Sequence, residues 1–364
     1  MQENGGQPQP KDRISALRPG DKFAVIVATN VIRADDHTPE VELAPGVWFS
    51  PGSPYTLSEG DRQGLGGFVC DWLDRSDFCI LVLQHSDAPD VRDAVDDQLL
   101  AAVHDVWFCL CMHLQGVPYA DNLMMLGGAI DANGFRLKSI PTQMDYVSPP
   151  DCALPTTSLD DLKSAATLAQ TYRLLFKGEP LPETHRRVRL GLSAVNRALH
   201  ERYGDARLHD YVRALEALVM PRRGKTRSLF VHRCQTLAAA SEANLLILRE
   251  AYDLRCAREH MNDWLGPVAH HGADAENVAR ERLWQIEHVA LAAYAHLLST
   301  PALLDVFSDD ASIREFWRKR EGEQRALWGR GVNATRYRWR ELHGIRELHT
   351  PESWRSLRRE LRSL

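Results

Sequence analysis

The residues with the clearest chemical potential lie at positions 245–264, LLILREAYDLRCAREHMNDW, where an apolar helical pattern ends in charge. Arg255 falls seven residues after Leu248 and four after Ala251, on the same helical face. Because burial of an unpaired guanidinium is strongly unfavourable, Arg255 is expected to reach solvent, pair with a carboxylate or bind an anion such as phosphate. His260 follows five residues later, roughly 140° away around an ideal helix. The two side chains are neighbours only if the helix frays or a second copy supplies one of them.

Further charged residues border the same apolar core. Glu216 lies on the flank of one amphipathic stripe, Arg233 interrupts the next, and Asp253 precedes Arg255 by two positions. One interpretation is a structural ion-pair network in which Glu216 or Asp253 neutralises Arg233 and Arg255. The alternative interpretation leaves a guanidinium available to an anionic ligand.

The helices that carry these residues are preceded by a region with both strand and helix patterns. Residues 1–150 predict an N-terminal domain of mixed α/β composition with an antiparallel sheet, so the fold class is α+β. A possible regulatory partner or ligand is assigned to this domain. The predicted elements are a hairpin of strands 22–32 and 41–50, helices 57–73 and 93–114, a buried strand 78–84, and strands 122–130 and 134–147 joined by the turn DANG.

A proline-rich segment at 148–157, SPPDCALPTT, marks the domain boundary. Beyond it the strand pattern disappears, and residues 158–300 predict an up-and-down helical bundle. Residues 301–364 are predicted to form a basic, Trp/Arg-rich helical extension. The predicted helices of the bundle span 158–176, 185–203, 206–220, 227–240, 245–262 and 273–298.

The charge distribution is uneven along the chain. Net charge is −5, yet residues 1–150 carry 10 Lys+Arg against 21 Asp+Glu, and residues 311–364 carry 14 against 7. A polyanion is therefore expected to meet the C-terminal half. There Arg336, Arg338, Trp339 and Arg340 interleave cations with an aromatic ring, as single-stranded RNA binding requires. The alternative is that the tryptophans of this region pack on the bundle while its arginines stay in water.

Several classes of protein are disfavoured by composition. Seven scattered cysteines predict reduced thiols, and the absence of a signal-type or membrane-spanning apolar run predicts a cytoplasmic protein without a membrane partner. His270 and His271, with Cys256 and His260, match no zinc-finger spacing. No metal site and no cofactor are predicted.

Three segments in a fixed order carry a resemblance to a known family. HDYVRALEALV (209–219), SLFVHRCQTLA (228–238) and LREAYDLRCAREH (248–260) resemble the ApeA-like branch of the HEPN superfamily, over roughly residues 185–300. The resemblance implies a helical bundle that dimerises and cleaves RNA without a metal. It assigns Arg255 to the scissile phosphate and His260 to proton transfer, with two copies completing one cleft. The 2′-hydroxyl of RNA would be the nucleophile, and the product a 2′,3′-cyclic phosphate.

One position departs from the family pattern. Active HEPN nucleases commonly have a polar Asn, Asp or His after the motif arginine, whereas this chain has Cys256, whose thiol is a weak donor. Two functions are therefore expected as alternatives. The first is a homodimeric endoribonuclease acting as a defence or toxin effector, and the second is a catalytically degenerate module that binds RNA or a protein partner.

Overall fold

Two compact units make up the chain in a computed structural model. The first comprises Met1–Tyr146 and Leu154–Lys177, and the second includes Gly178–Leu364. The expected α+β composition with an antiparallel sheet is confirmed. The structure describes residues 17–32, 39–118, 120–132, 134–146, 157–178 and 181–336.

The first unit is built on one antiparallel sheet of seven strands. The spatial order is β2-β3-β4-β1-β5-β6, and β7 pairs with β5. The strands are β1 (Asp21–Thr29), β2 (Val41–Ala44), β3 (Val47–Ser50), β4 (Phe78–His85), β5 (Asp121–Asp131), β6 (Gly134–Leu137) and β7 (Thr142–Gln143). The predicted buried strand and the hairpin between β5 and β6 are confirmed, with Asp131 opposite Gly134.

The predicted hairpin between strands 22–32 and 41–50 is wrong. β1 lies at the centre of the sheet, where Val25 is opposite Leu81 of β4 and Leu126 of β5. The 41–50 segment instead forms its own hairpin, β2–β3, at the sheet edge. Eight consecutive residues of β1 are buried, so this strand needs neighbours on both sides and cover on both faces.

Helices cover both faces of the sheet. On one face Val25, Leu81 and Leu126 join a core with Cys70 and Leu73 of α2. On the other, Phe78 of β4 meets Trp107 of α3 edge-on, with ring centroids 6.0 Å apart. The helices of this unit are α1 (Glu59–Leu65), α2 (Gly67–Arg75), α3 (Ala94–Leu114) and α4 (Leu159–Leu175). The single helix predicted over 57–73 is two, because Gly66 at φ 77° breaks it.

Helix α4 belongs to the first unit, whereas the sequence grouped it with the bundle from residue 158 onward. Phe108 of α3 packs edge-on against Tyr172 of α4 with centroids 5.3 Å apart. His113 Nε2 lies 3.0 Å from a carboxylate oxygen of Asp161. The contacts of α4 with α3 place it in the first unit, although a proline-rich segment precedes it in the sequence.

The second unit is helical throughout its regular elements, and its long helix α9 is buried along most of its length. Tyr294 of α9 donates from its hydroxyl to the backbone carbonyl of Ala214, 2.8 Å away. Arg207 of α6 pairs with Glu287 of α9 at 2.8 Å inside this core. The elements are α5 (Arg186–His200), α6 (Gly204–Val219), α7 (Thr226–Leu237), α8 (Glu242–Glu259), a 3₁₀ segment (Gly266–Asp274), α9 (Ala275–Ser299), α10 (Pro301–Val306), α11 (Asp310–Phe316) and α12 (Glu321–Trp328).

Within the described ranges, none of the helices is both long enough and apolar enough to span a lipid bilayer.

Candidate functional site

A cleft of about 1170 Å³ opens in the second unit, and we call it the arginine cleft. Its walls come from α5, α6, α7, α8, α11 and the turn after α6. Its lining has nine arginines and two glutamates, Glu216 and Glu259. Three aspartates outside the lining, Asp210, Asp253 and Asp310, pair with four of these arginines, so the cleft keeps a smaller excess of cations. The arginines are Arg187, Arg197, Arg213, Arg222, Arg223, Arg227, Arg233, Arg255 and Arg314.

Arg255 reaches the wall of this cleft from the core face of α8 and is only 6% exposed. Its Nη2 donates to Oε2 of Glu216 over 3.2 Å, and its Nη1 pairs with Glu259 one turn further along α8. Arg213 lies 3.6 Å from the same Glu216 oxygen. Two guanidinium groups and two carboxylates thus form a charge-balanced network, which meets the requirement that a buried cation be paired.

The network shifts the ionisation of its members. Burial lowers the pKa of the Arg255 guanidinium, but attraction to Glu216 and Glu259 outweighs burial and leaves it above its ordinary value. Arg255 is therefore a permanent cation. Its Nε–H is buried without a hydrogen-bond partner among the described residues.

His260 lies at the end of α8 and is exposed, with its side chain on the arginine cleft. The helix stops at Glu259, and Asn262 closes it by donating its backbone N–H to the carbonyl of Ala257 over 2.9 Å. Met261 takes the left-handed conformation, φ 53°, that this type of helix end requires. Because the helix ends there, His260 and Arg255 both line one cleft despite their five-residue offset.

The remaining residues predicted to support the site have separate roles. Asp253 pairs with Arg227, and no ion pair of the described structure joins it to Arg233 or Arg255. Arg233 instead donates to the carbonyls of Val219 and Met220 over 2.6 and 2.9 Å, closing the C-terminal end of α6. Of the predicted ion-pair network, only the contact between Glu216 and Arg255 is present.

Cys256 is half-buried on the cleft wall, with its sulfur 3.9 Å from Nη1 of Arg255. Burial raises the pKa of this thiol above its ordinary value, and the neighbouring Arg255 only partly opposes it. The group is therefore a neutral thiol near pH 7. It can hold neither a phosphate nor an imidazole as firmly as an amide or carboxylate would.

The turn between α6 and α7, PRRGK at 221–225, is a part of the cleft that the sequence-based analysis missed. Arg222 and Arg223 are exposed and, within the described part of the chain, have no carboxylate partner. Burial lowers the pKa of the Arg233 guanidinium, and the positive charge of nearby Arg222 lowers it further. Three basic residues in a five-residue turn were the available signal.

The C-terminal residues predicted to bind nucleic acid are described only in part. Arg336 ends a short 3₁₀ segment, Ala334–Arg336, and Arg338, Trp339 and Arg340 lie outside the described residues. Earlier in the same region Trp317 is 6% exposed and donates from Nε1 to the carbonyl of Leu218 over 2.9 Å. Trp328 is also buried, so these two tryptophans pack as core residues.

No family model, curated protein or solved structure matches this chain.

Proposed function

We propose that the arginine cleft binds RNA and that Arg255 and His260 cleave it without a metal, as in the HEPN endoribonucleases that the chain resembles. One observation carries this proposal. The two motif residues line a single cleft in which arginines outnumber the carboxylates that line it or pair with them, and in which Arg222 and Arg223 have no carboxylate partner among the described residues. RNA carries one negative charge per nucleotide, and a surface with this excess of cations attracts it electrostatically.

The proposed chemistry needs only two side chains of the cleft and the 2′-hydroxyl of the RNA. The 2′-hydroxyl gives up its proton and attacks the adjacent phosphorus, and the bond to the 5′-oxygen breaks. The 5′-oxygen takes up a proton and leaves as a hydroxyl, and a 2′,3′-cyclic phosphate remains. His260 moves a proton in this step, and Arg255 stabilises the charge that develops on the phosphorane. The Glu259 side chain is 39% exposed, so it moves away from Arg255 when the phosphate binds. The more buried Glu216 continues to orient Arg255.

We further propose that the active form is a homodimer. His260 is exposed at the end of α8, where a second copy related by a two-fold axis can bring its own Arg255 and His260 to the same substrate. The N-terminal unit, which is acidic by sequence, is proposed to regulate this assembly through a partner or ligand. A cellular role as a defence or toxin effector remains part of this proposal.

A second candidate function has its own support. Arg255 already has two carboxylate partners, and Cys256 offers only a neutral thiol beside it. Both features favour a module that binds RNA, or a protein partner, without cleaving it. The same arginine cleft would then be a binding surface alone.

Incubation of the purified full chain with a labelled single-stranded RNA in EDTA separates the two candidates. The endoribonuclease predicts cyclic-phosphate ends from the wild type and their loss in Arg255→Ala and His260→Ala. His232→Ala is the matched control, since this exposed histidine of α7 does not line the cleft. Binding without product supports the second candidate, and equal cleavage by all four proteins rules out the first.

A further inference from the structure

A second cluster of chemically active side chains lies outside the arginine cleft. His270 and His271, consecutive residues of the 3₁₀ segment, both turn their rings toward Glu250 of α8. Their Nε2 atoms lie 3.3 and 3.0 Å from the same carboxylate oxygen, Oε1 of Glu250. One donor atom from each of the three residues falls within 4.8 Å of the other two.

The other oxygen of Glu250 is held by a separate contact. Arg282 of α9 donates from Nε to Oε2 over 2.6 Å, and its Nη1 pairs with Glu281 at 3.0 Å. Glu281 therefore also balances the positive charge of Arg282, and Oε1 of Glu250 faces the two imidazoles. Burial would raise the pKa of Glu250, but Arg282 and then His271 lower it to about 2.

The two distances to Glu250 are close to those between ligand atoms of a metal ion, and the donor atoms of the two histidines lie within 4.8 Å of each other. Zinc binds imidazole nitrogen at about 2.0–2.1 Å and carboxylate oxygen at about 2.0–2.2 Å, so neighbouring ligand atoms of a tetrahedral site lie about 3.3–3.5 Å apart. The two separations of 3.3 and 3.0 Å between nitrogen and Oε1 approach that edge length. Two histidines with one carboxylate are also a common ligand set of zinc sites that keep an open position.

The surroundings supply what such a ligand set needs. Arg282 fixes the carboxylate from behind, as a second shell of hydrogen bonds fixes ligands in known metal sites. The His270 side chain is 53% exposed, which gives an ion a path from solvent. Spacing along the sequence did not reveal the site, because its third ligand is 20 residues before His270 on another element.

We propose that Glu250, His270 and His271 bind one divalent transition-metal ion, zinc first among them, with the fourth position open to water. The ion would replace the direct contacts of the two Nε2 atoms with Glu250, and it would link the 3₁₀ segment to α8. The proposal is independent of the proposed nuclease function, because none of these three residues lines the arginine cleft.

Calorimetric titration of the EDTA-dialysed full chain with ZnCl₂ tests this directly. The expected result is one ion per chain, with a higher melting temperature in its presence. Titration with CoCl₂ should give the visible absorption of a low-symmetry Co²⁺ site. His270→Ala and His271→Ala should each weaken zinc binding by at least about tenfold, as loss of a ligand would.

His232→Ala is again the control, since it removes an exposed histidine elsewhere in the same unit. His270→Ala is the decisive variant because that side chain is half exposed and its loss leaves the pairing of Glu250 with Arg282 intact. Equal zinc affinity in the wild type and His270→Ala would overturn the proposal. So would the absence of any stoichiometric binding, in which case the histidines only donate hydrogen bonds to Glu250.

Discussion

Arg255 and Glu216, which lie 39 residues apart in sequence, meet across α8 and α6 with Nη2 and Oε2 separated by 3.2 Å. Their side chains are only 8% and 12% exposed. This contact makes an arginine at a core position compatible with folding, and it fixes the guanidinium at the wall of the arginine cleft.

Removal of the Glu216 carboxylate should therefore destabilise the second unit. Glu216→Ala leaves Arg255 buried with only Glu259 as a partner, and we expect a loss of about 3 kcal/mol in the free energy of unfolding. Urea denaturation of the full chain measures the change. Glu323→Ala, an exposed glutamate of α12, should change stability by less than about 0.5 kcal/mol. Similar values for the two variants would contradict a structural role of Glu216.

The opposite effect is expected at Glu259, whose carboxylate competes with phosphate for the same guanidinium. Glu259→Gln removes that competition and should tighten binding of single-stranded RNA several-fold at low salt. Fluorescence anisotropy with a labelled RNA measures the affinity. Unchanged or weaker binding would show that phosphate does not reach Arg255.

The basic turn after α6 should contribute to affinity for any sequence of RNA. Replacing Arg222 and Arg223 by alanine removes two phosphate contacts, which should lower the slope of log affinity against log salt by about 1.4. The double variant Arg280→Ala/Arg318→Ala is the control, because these exposed arginines lie outside the cleft. An equal loss of slope in both proteins would place RNA elsewhere on the chain.

Stability of the first unit should depend on pH through Asp105 of α3. Burial raises the pKa of this carboxyl to about 7, against the attraction of Arg173 in α4. The folded state thus holds the proton more tightly than the unfolded state, whose pKa is near 3.9. The resulting stabilisation is complete below about pH 4 and is lost as the pH rises to about 7, a change of up to about 4 kcal/mol.

Asp105→Asn should remove this dependence and make the first unit more stable than the wild type at pH 8. Thermal denaturation followed from pH 4 to pH 8 measures it. Asp97→Asn changes an exposed carboxylate of the same helix and should leave the pH profile of the wild type intact. If the stability of the wild type does not fall between pH 4 and pH 7, the raised pKa of Asp105 is contradicted.

The buried pair of Arg207 and Glu287 offers a test of a different kind. Its side chains are 3% and 4% exposed, so Glu287→Ala leaves an unpaired guanidinium in the core and should cost about 3–5 kcal/mol. Replacing both residues together, Arg207→Met with Glu287→Leu, should recover most of that loss because no buried charge remains. Denaturation of the double variant and of the single variants Arg207→Met and Glu287→Leu gives the coupling energy. Additive losses in the two single variants would contradict a direct interaction between the buried charges.

Local patterns in the sequence were enough to predict several of the elements. The apolar run of β4, the turn between β5 and β6, and the helical spacing around Arg255 each depend on residues close together in the chain. Periodicity and turn chemistry act over that range, so these elements follow from the sequence. The same patterns placed Arg255 on the core face of α8, where the structure has it.

The tertiary structure alone decided which elements and side chains meet. β1 pairs with β4 and β5 and not with its neighbour in sequence, because a strand buried on both faces must lie inside the sheet. Burial and packing between distant segments likewise joined Arg255 to Glu216 and brought His270 and His271 to Glu250. Such contacts are selected by the free energy of the whole core, which no local window of sequence contains.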